Sequence, residues 1–175
     1  PDAIDAFKKS VVLKEDWFSY QGLGIALFKS NQYPEAINYL KYSLALKEDW
    51  HSYQGLGAAL FKLNQYPEAI DYFRLAIAQS NSNKIHHLED LDSYKGLGWA
   101  LFKARRYQEA IEAFTVSLDK KEEWYSYLGL GWSLFKTNQY TEAINTFRNS
   151  IALHNNKDSY LGLGWTQHKV NNQNE

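Results

Sequence analysis

Cysteine and methionine are absent from the 175 residues, proline occurs three times, and neither sign of charge dominates. Without cysteine there is no disulfide scaffold, no thiol catalysis and no thiolate zinc site. The 19 Lys and Arg against 20 Asp and Glu leave a formal charge of −1, which lacks the basic excess that a general nucleic-acid or anionic-membrane surface needs. No apolar run approaches the roughly 20 residues of a membrane span, and no basic stretch followed by an apolar one marks a secretory signal. Cytoplasmic placement is the default expectation from that missing signal. The lack of methionine together with a start at Pro1 suggests a piece of a longer polypeptide. What is abundant is apolar material: 45% hydrophobic and 16% aromatic residues, enough for a sizeable core and incompatible with disorder.

That material is arranged in a repeat. The segment WFSYQGLGIALFKSNQYPEAINYL from Trp17 returns from Trp50 as WHSYQGLGAALFKLNQYPEAIDYF. Anchor tyrosines stand at Tyr20, Tyr53, Tyr94, Tyr127 and Tyr160, spaced 33, 41, 33 and 33 residues apart. Tyr20, Leu23 and Leu27 recur at helical spacings, as do Ala36, Leu40, Ser43 and Leu44. Asp16, Asp49 and Asp90 are suited to cap the first helix of each copy, and Pro34 and Pro67 to begin the second. Asn31-Gln32 or its equivalent lies between them, where Asn tolerates the left-handed conformation that ends a helix. Each copy therefore reads as two antiparallel helices, and nothing reads as strand.

All ten glycines sit in GLG triplets at helical positions, from Gly22/Gly24 to Gly162/Gly164. A glycine inside a helix costs about 1 kcal/mol relative to Ala, so ten approach the net stability of a domain. Close approach of a neighbouring helix is the expected compensation. A phosphate-binding loop is disfavoured, because the third glycine and the preceding strand are both absent.

These residues resemble the tetratricopeptide repeat family, with its helix-turn-helix copies of period near 34. The match runs through Tyr20, Leu23-Gly24, Leu27, Ala36, Leu40 and Ser43, and again through Tyr127, Leu130-Gly131, Leu134, Ala143, Phe147 and Ser150. The period of 33, the Tyr at the family's usual Trp or Leu position and the additional glycine depart from the pattern. The resemblance implies an all-α, right-handed superhelical solenoid of antiparallel hairpins. The expected organisation is one array over 1–175: the second helix of a truncated repeat at 1–14, repeats at 17–49, 50–90, 91–123 and 124–156, and a capping helix at 157–175.

The Tyr/Leu/Leu face of each first helix and the Ala/Phe/Ser face of each second are the expected core. A further face is formed by positions −2, +1, +5, +8 and +9 from each anchor tyrosine, and the resemblance implies that it lines a concave, ligand-binding groove. At +5 stand Ile25, Ala58, Trp99, Trp132 and Trp165; at +8 Phe28, Phe61, Phe102 and Phe135, with His168 in the last copy. Lys29, Lys62, Lys103, Lys136 and Lys169 occupy +9 in every copy. Positions −2 and +1 vary, with Tyr125 and Leu128 in the fourth copy. The phenylalanines and lysines also admit a plainer reading, as hairpin packing and a solvated row. The tryptophans, confined to three copies, point to a groove that takes an extended peptide with apolar and acidic groups. The family's carboxylate clamp is not transferable, since no Asn occupies +5. Trp17, Trp50 and Trp124 open their helices and are expected to pack between repeats.

No catalytic pattern and no cofactor motif occurs. His86-His87, near Glu89 and Asp90 in the longer connection, reads as a solvated pair more readily than as a metal site. The Glu35, Glu68, Glu109 and Glu142 series favours helix N-termini. The expected function is a non-catalytic protein-interaction module whose groove binds a peptide or partner helix. Two alternatives stand beside it: an array that self-associates through its end faces, and a substrate-recruiting part of an enzyme whose catalytic domain lies elsewhere. Residues 79–90 are expected to extend a turn outside the stack. Gln167-His168, where earlier copies have Leu-Phe, are expected to leave the last helix face wet, as solenoid ends require.

Overall fold

A computed structural model describes residues 3–82 and 91–172. They form ten helices: α1 (Ala3–Leu13), α2 (Trp17–Lys29), α3 (Tyr33–Leu46), α4 (Trp50–Lys62), α5 (Tyr66–Ser82), α6 (Leu91–Lys103), α7 (Tyr107–Lys120), α8 (Trp124–Lys136), α9 (Tyr140–Leu153) and α10 (Lys157–Asn171). Among the described residues there is no strand. The protein is an all-α helical-repeat solenoid. It resolves into two compact units, Pro1–Gly96 and Leu97–Glu175, so α6 contributes to both.

Local chemistry explains the helix ends. The carboxylates of Asp16 and Asp49 accept the backbone N–H of Ser19 and Ser52 at 2.8 and 3.1 Å. Asn156 does the same for Ser159 at 2.9 Å, a cap that the aspartate series missed. Asp90, the histidine pair and most of the 79–90 connection lie outside the described residues. Between the helices of a hairpin, Asn31, Asn64 and Asn138 take φ of 61°, 61° and 63°, and Arg105 takes 61° in their place. The asparagine turns are also pinned from the next helix: the hydroxyls of Tyr33, Tyr66 and Tyr140 donate to the Asn31, Asn64 and Asn138 side chains at 2.6–2.7 Å.

The glycine triplets have a specific packing reason. One large side chain of each second helix wedges between the second glycine of its own hairpin and the first glycine of the following helix. Phe73 stands between Gly57 and Gly96, Phe114 between Gly98 and Gly129, and Phe147 between Gly131 and Gly162; Leu40 fills the same place between Gly24 and Gly55. A methyl group on any of these would lie within 3.0 Å of that side chain, except at Gly55, where the gap is 3.1 Å. Phe114, Phe147 and Leu40 are fully buried as a result. Beside three of the four wedges a buried serine pair crosses the junction, Ser43 with Ser52 at 3.2 Å, Ser117 with Ser126 at 2.9 Å and Ser150 with Ser159 at 2.8 Å, whereas Ala76 takes that place beside Phe73.

Candidate functional site

In the unit Pro1–Gly96, the varying positions of the first helices are used to tie one repeat to the next. Gln21, at +1, is buried and donates from Nε2 to the Asp49 carboxylate and to Ser52 Oγ. Gln54 reaches Ser93 Oγ at 3.1 Å in the same way. Burial pushes the Asp49 carboxyl up, but the hydrogen bonds from His51, from the Ser52 N–H and from Gln21 outweigh it, and the group sits below the ordinary aspartate range. Position +5 carries only Ile25 and Ala58, both half-buried. The Phe28 and Phe61 rings pack on Tyr33 and Tyr66 of the same hairpin, each at 5.6 Å. Lys29 and Lys62 are exposed.

In the unit Leu97–Glu175, aromatic rings take over that task. Trp99 meets Phe114 edge-on at 5.4 Å and Phe102 at 5.8 Å, and Tyr125 of the following helix tilts over it at 4.9 Å. Trp132 repeats the pattern with Phe147 at 5.3 Å and Phe135 at 5.8 Å. Both indoles are half-buried, and the Trp99 Nε1–H is enclosed without a hydrogen-bond acceptor. Phe102 and Phe135 pack on Tyr107 and Tyr140. Lys103, Lys136 and Lys169 are exposed beside this strip. Leu128 is only 4% exposed and lies in the apolar cluster with Leu134 and Phe147. Trp165 is 57% exposed, with His168 as its ring neighbour at 6.3 Å. It borders an open cleft of about 540 Å³ lined by Tyr160, Leu161, Gly164, Trp165 and His168. Gln167 and His168 are both exposed.

Two features of the frame escape a residue-by-residue reading. The anchor tyrosines bond backwards: Tyr127 Oη donates to Glu122 at 3.0 Å. Burial first, and then that carboxylate, raise its pKa; Tyr20 and Tyr53 are raised by burial and by Glu15 and Glu48. The signal was the glutamate five places before Tyr20, Tyr53 and Tyr127, a place that Asn155 takes before Tyr160. The opening tryptophans instead bridge to the end of the next helix: the Lys47 ammonium lies 4.0 Å over Trp17, His154 lies 4.7 Å from Trp124, and Trp50 is buried.

Among the described residues no cluster of His, Asp and Glu is arranged to hold a metal ion. No helix there is long and apolar enough to cross a membrane. Tetratricopeptide repeat models match residues 51–123 and 125–154. No curated protein sequence matches significantly. Among solved structures, the fold is similar to YrrB, a TPR protein with an unusual peptide-binding site, at 21% identity and a TM-score of 0.82 over 97% of this chain and 86% of that one. It is similar to MamA from Desulfovibrio magneticus at 23% identity and 0.76 over 86% and 82%. The APC/C hetero-tetramer Cut9–Hcn1 gives 20% identity and 0.84 over 93% of this chain and 32% of that one.

Proposed function

Because the chain belongs to the tetratricopeptide repeat family, we propose that it is a protein-interaction module without catalytic chemistry of its own, and that Leu97–Glu175 carries its ligand strip. The observation behind this reading is the pair Trp99 and Trp132. Each indole is held by ring contacts with core phenylalanines, keeps part of its surface open and lies on the helix face that also carries an exposed lysine. An anchor already locked in place loses little rotamer freedom when a ligand binds. Large aromatic anchors also supply most of the energy in such interfaces. The lysines at Lys103, Lys136 and Lys169 supply sign rather than strength, since exposed pairs contribute under about 1 kcal/mol.

The ligand class is therefore an extended peptide with apolar side chains and acidic groups. Tyr125 and the partly open Phe102 and Phe135 extend the strip, and Trp165 continues it; Phe28, Phe61, Lys29 and Lys62 are a poorer copy in the other unit. Leu128 faces inward and offers no contact surface. YrrB is the peptide-binding precedent among the proteins of similar fold.

The test uses acidic aromatic-containing peptides titrated against tryptophan fluorescence. The double variant Lys103→Glu with Lys136→Glu should weaken binding about tenfold or more with the melting temperature unchanged, and raised salt should weaken the parent as well. Unaltered affinity in the variant would sink the proposal.

A further inference from the structure

The hairpin turns share one backbone, but the turn between α6 and α7 carries a different chemistry. The Arg105 N–H bonds to the Phe102 carbonyl at 3.0 Å and the Arg106 N–H to the Leu101 carbonyl at 2.9 Å, just as Asn31 and Gln32 bond to Phe28 and Leu27, both at 3.0 Å. Tyr107 leans on Phe102 at 5.5 Å and 58°, as Tyr33 leans on Phe28 at 5.6 Å and 54°. The Tyr107 hydroxyl is therefore aimed at the side chain of residue 105, where Tyr33, Tyr66 and Tyr140 donate to an asparagine oxygen. A guanidinium has five donors and no acceptor, so Arg105 cannot take that bond. The exchange also has a backbone cost, because Arg105 holds φ at 61°, a conformation that Asn tolerates and Arg seldom adopts. The surrounding charge is cationic. Glu109, in the first turn of α7, is neutralised by Arg106 through two bonds of 2.7 Å. Lys103 closes α6 and is exposed, and among the described residues neither it nor Arg105 enters an ion pair.

We propose that this turn is an oxyanion site for the phosphoryl group of a phosphorylated serine or threonine on a partner protein. One phosphoryl oxygen accepts from the Tyr107 hydroxyl and another from the Arg105 guanidinium, while the Lys103 ammonium adds charge. The anion supplies the acceptor that the asparagine turns carry in their own side chains. A phosphate monoester suits this turn better than a carboxylate, since it brings up to about two negative charges and three strong acceptor oxygens to donors on three residues. A protein source is favoured because the chain belongs to a family of protein-interaction repeats and Lys103 stands one helical turn beyond Trp99 on the same face. The left-handed arginine is then kept for what it binds rather than for the turn, which asparagine makes at less cost. The site adds to the tryptophan strip and does not depend on it.

The test titrates N-acetyl-phosphoserine methylamide, which has no apolar anchor for the strip, into isotope-labelled protein and follows backbone amide shifts by NMR. Amides of residues 103–109 should shift and saturate at about millimolar concentration or below. The matching glutamate compound should bind at least about tenfold more weakly. Arg105→Asn should abolish the response and yet melt no lower than the parent, because Asn accepts the Tyr107 bond and tolerates the turn. Tyr107→Phe should weaken binding about fivefold. Arg105→Asn leaves Lys103, Lys136 and both tryptophans in place, so its affinity for unphosphorylated acidic peptides should equal the parent's, which separates this site from the strip. No shift at these amides, a glutamate compound that binds as well as the phosphoserine one, or a response retained in Arg105→Asn overturns the proposal. So does inorganic phosphate that binds more tightly than the phosphoserine compound, or Arg105-dependent sedimentation with phosphatidylcholine vesicles doped with phosphatidic acid, since either assigns the turn to a different source of phosphate.

Discussion

The two compact units share a frame and differ in how they seal it. In Pro1–Gly96 the position after Tyr20 and Tyr53 is Gln, and its amide reaches across to the next repeat, Gln21 to the Asp49 cap and Ser52 and Gln54 to Ser93. In Leu97–Glu175 the same position is Leu128, which needs no partner, and Trp99 and Trp132 fill the volume left to Ile25 and Ala58 in the other unit. Both solutions surround the same wedge between glycines. The frame thus constrains one side chain per junction tightly and leaves the neighbouring face open to be polar or aromatic. That open choice is where a ligand surface can differ along an array whose backbone repeats.

The largest test of this comparison truncates the wedge itself. Phe114→Ala should cost about 3–5 kcal/mol, and Leu40→Ala about 2–5 kcal/mol with the smaller value of the two expected. Leu40 is the smaller wedge and its Gly55 socket is the loosest of the set. Denaturant unfolding reads both, and a larger loss from Leu40→Ala than from Phe114→Ala would break the ranking. A finer test uses two glycines of α10. Gly162→Ala drives a methyl group into Phe147 and should destabilise by about 1–3 kcal/mol. Gly164→Ala meets open space and should gain up to about 1 kcal/mol from helix propensity. Opposite signs two residues apart in one helix separate packing from propensity; equal signs would refute the socket account.

The smallest effect is confined to the first unit. The Asp49 carboxyl is held below its ordinary range when folded, so its contribution is complete above the unfolded aspartate pKa of about 4 and is lost as pH falls through the folded value. Asp49→Asn should flatten the acid limb of a melting-temperature profile below about pH 4. No such flattening is expected from Asn156, which caps α10 without a titrating group.

Much of the frame was legible because it is local. Asp16 and Asp49 cap where an acceptor before a helix should, and Asn31 turns left-handed where Asn tolerates it. Arg105 takes the same conformation without that preference, because the surrounding hairpin over-determines it. The triplet glycines announced a close approach, but not that a single phenylalanine serves two of them from the middle. The lysine row and the phenylalanines at +8 could be placed on one face, whereas the inward position of Leu128 depends on a neighbour whose distance in sequence carries no periodic signal.

The three tryptophans at one register show where the division falls. Helical period and composition by themselves determined that Trp99, Trp132 and Trp165 share a face, since both depend on bonds and side chains within a few residues. Only the tertiary structure decided that Tyr125 covers the first, that Phe147 braces the second and that the third stands at the edge of an open cleft. Burial is set by what packs across from a side chain, and the same residue at the same helix register acquires a different surface when its surroundings differ.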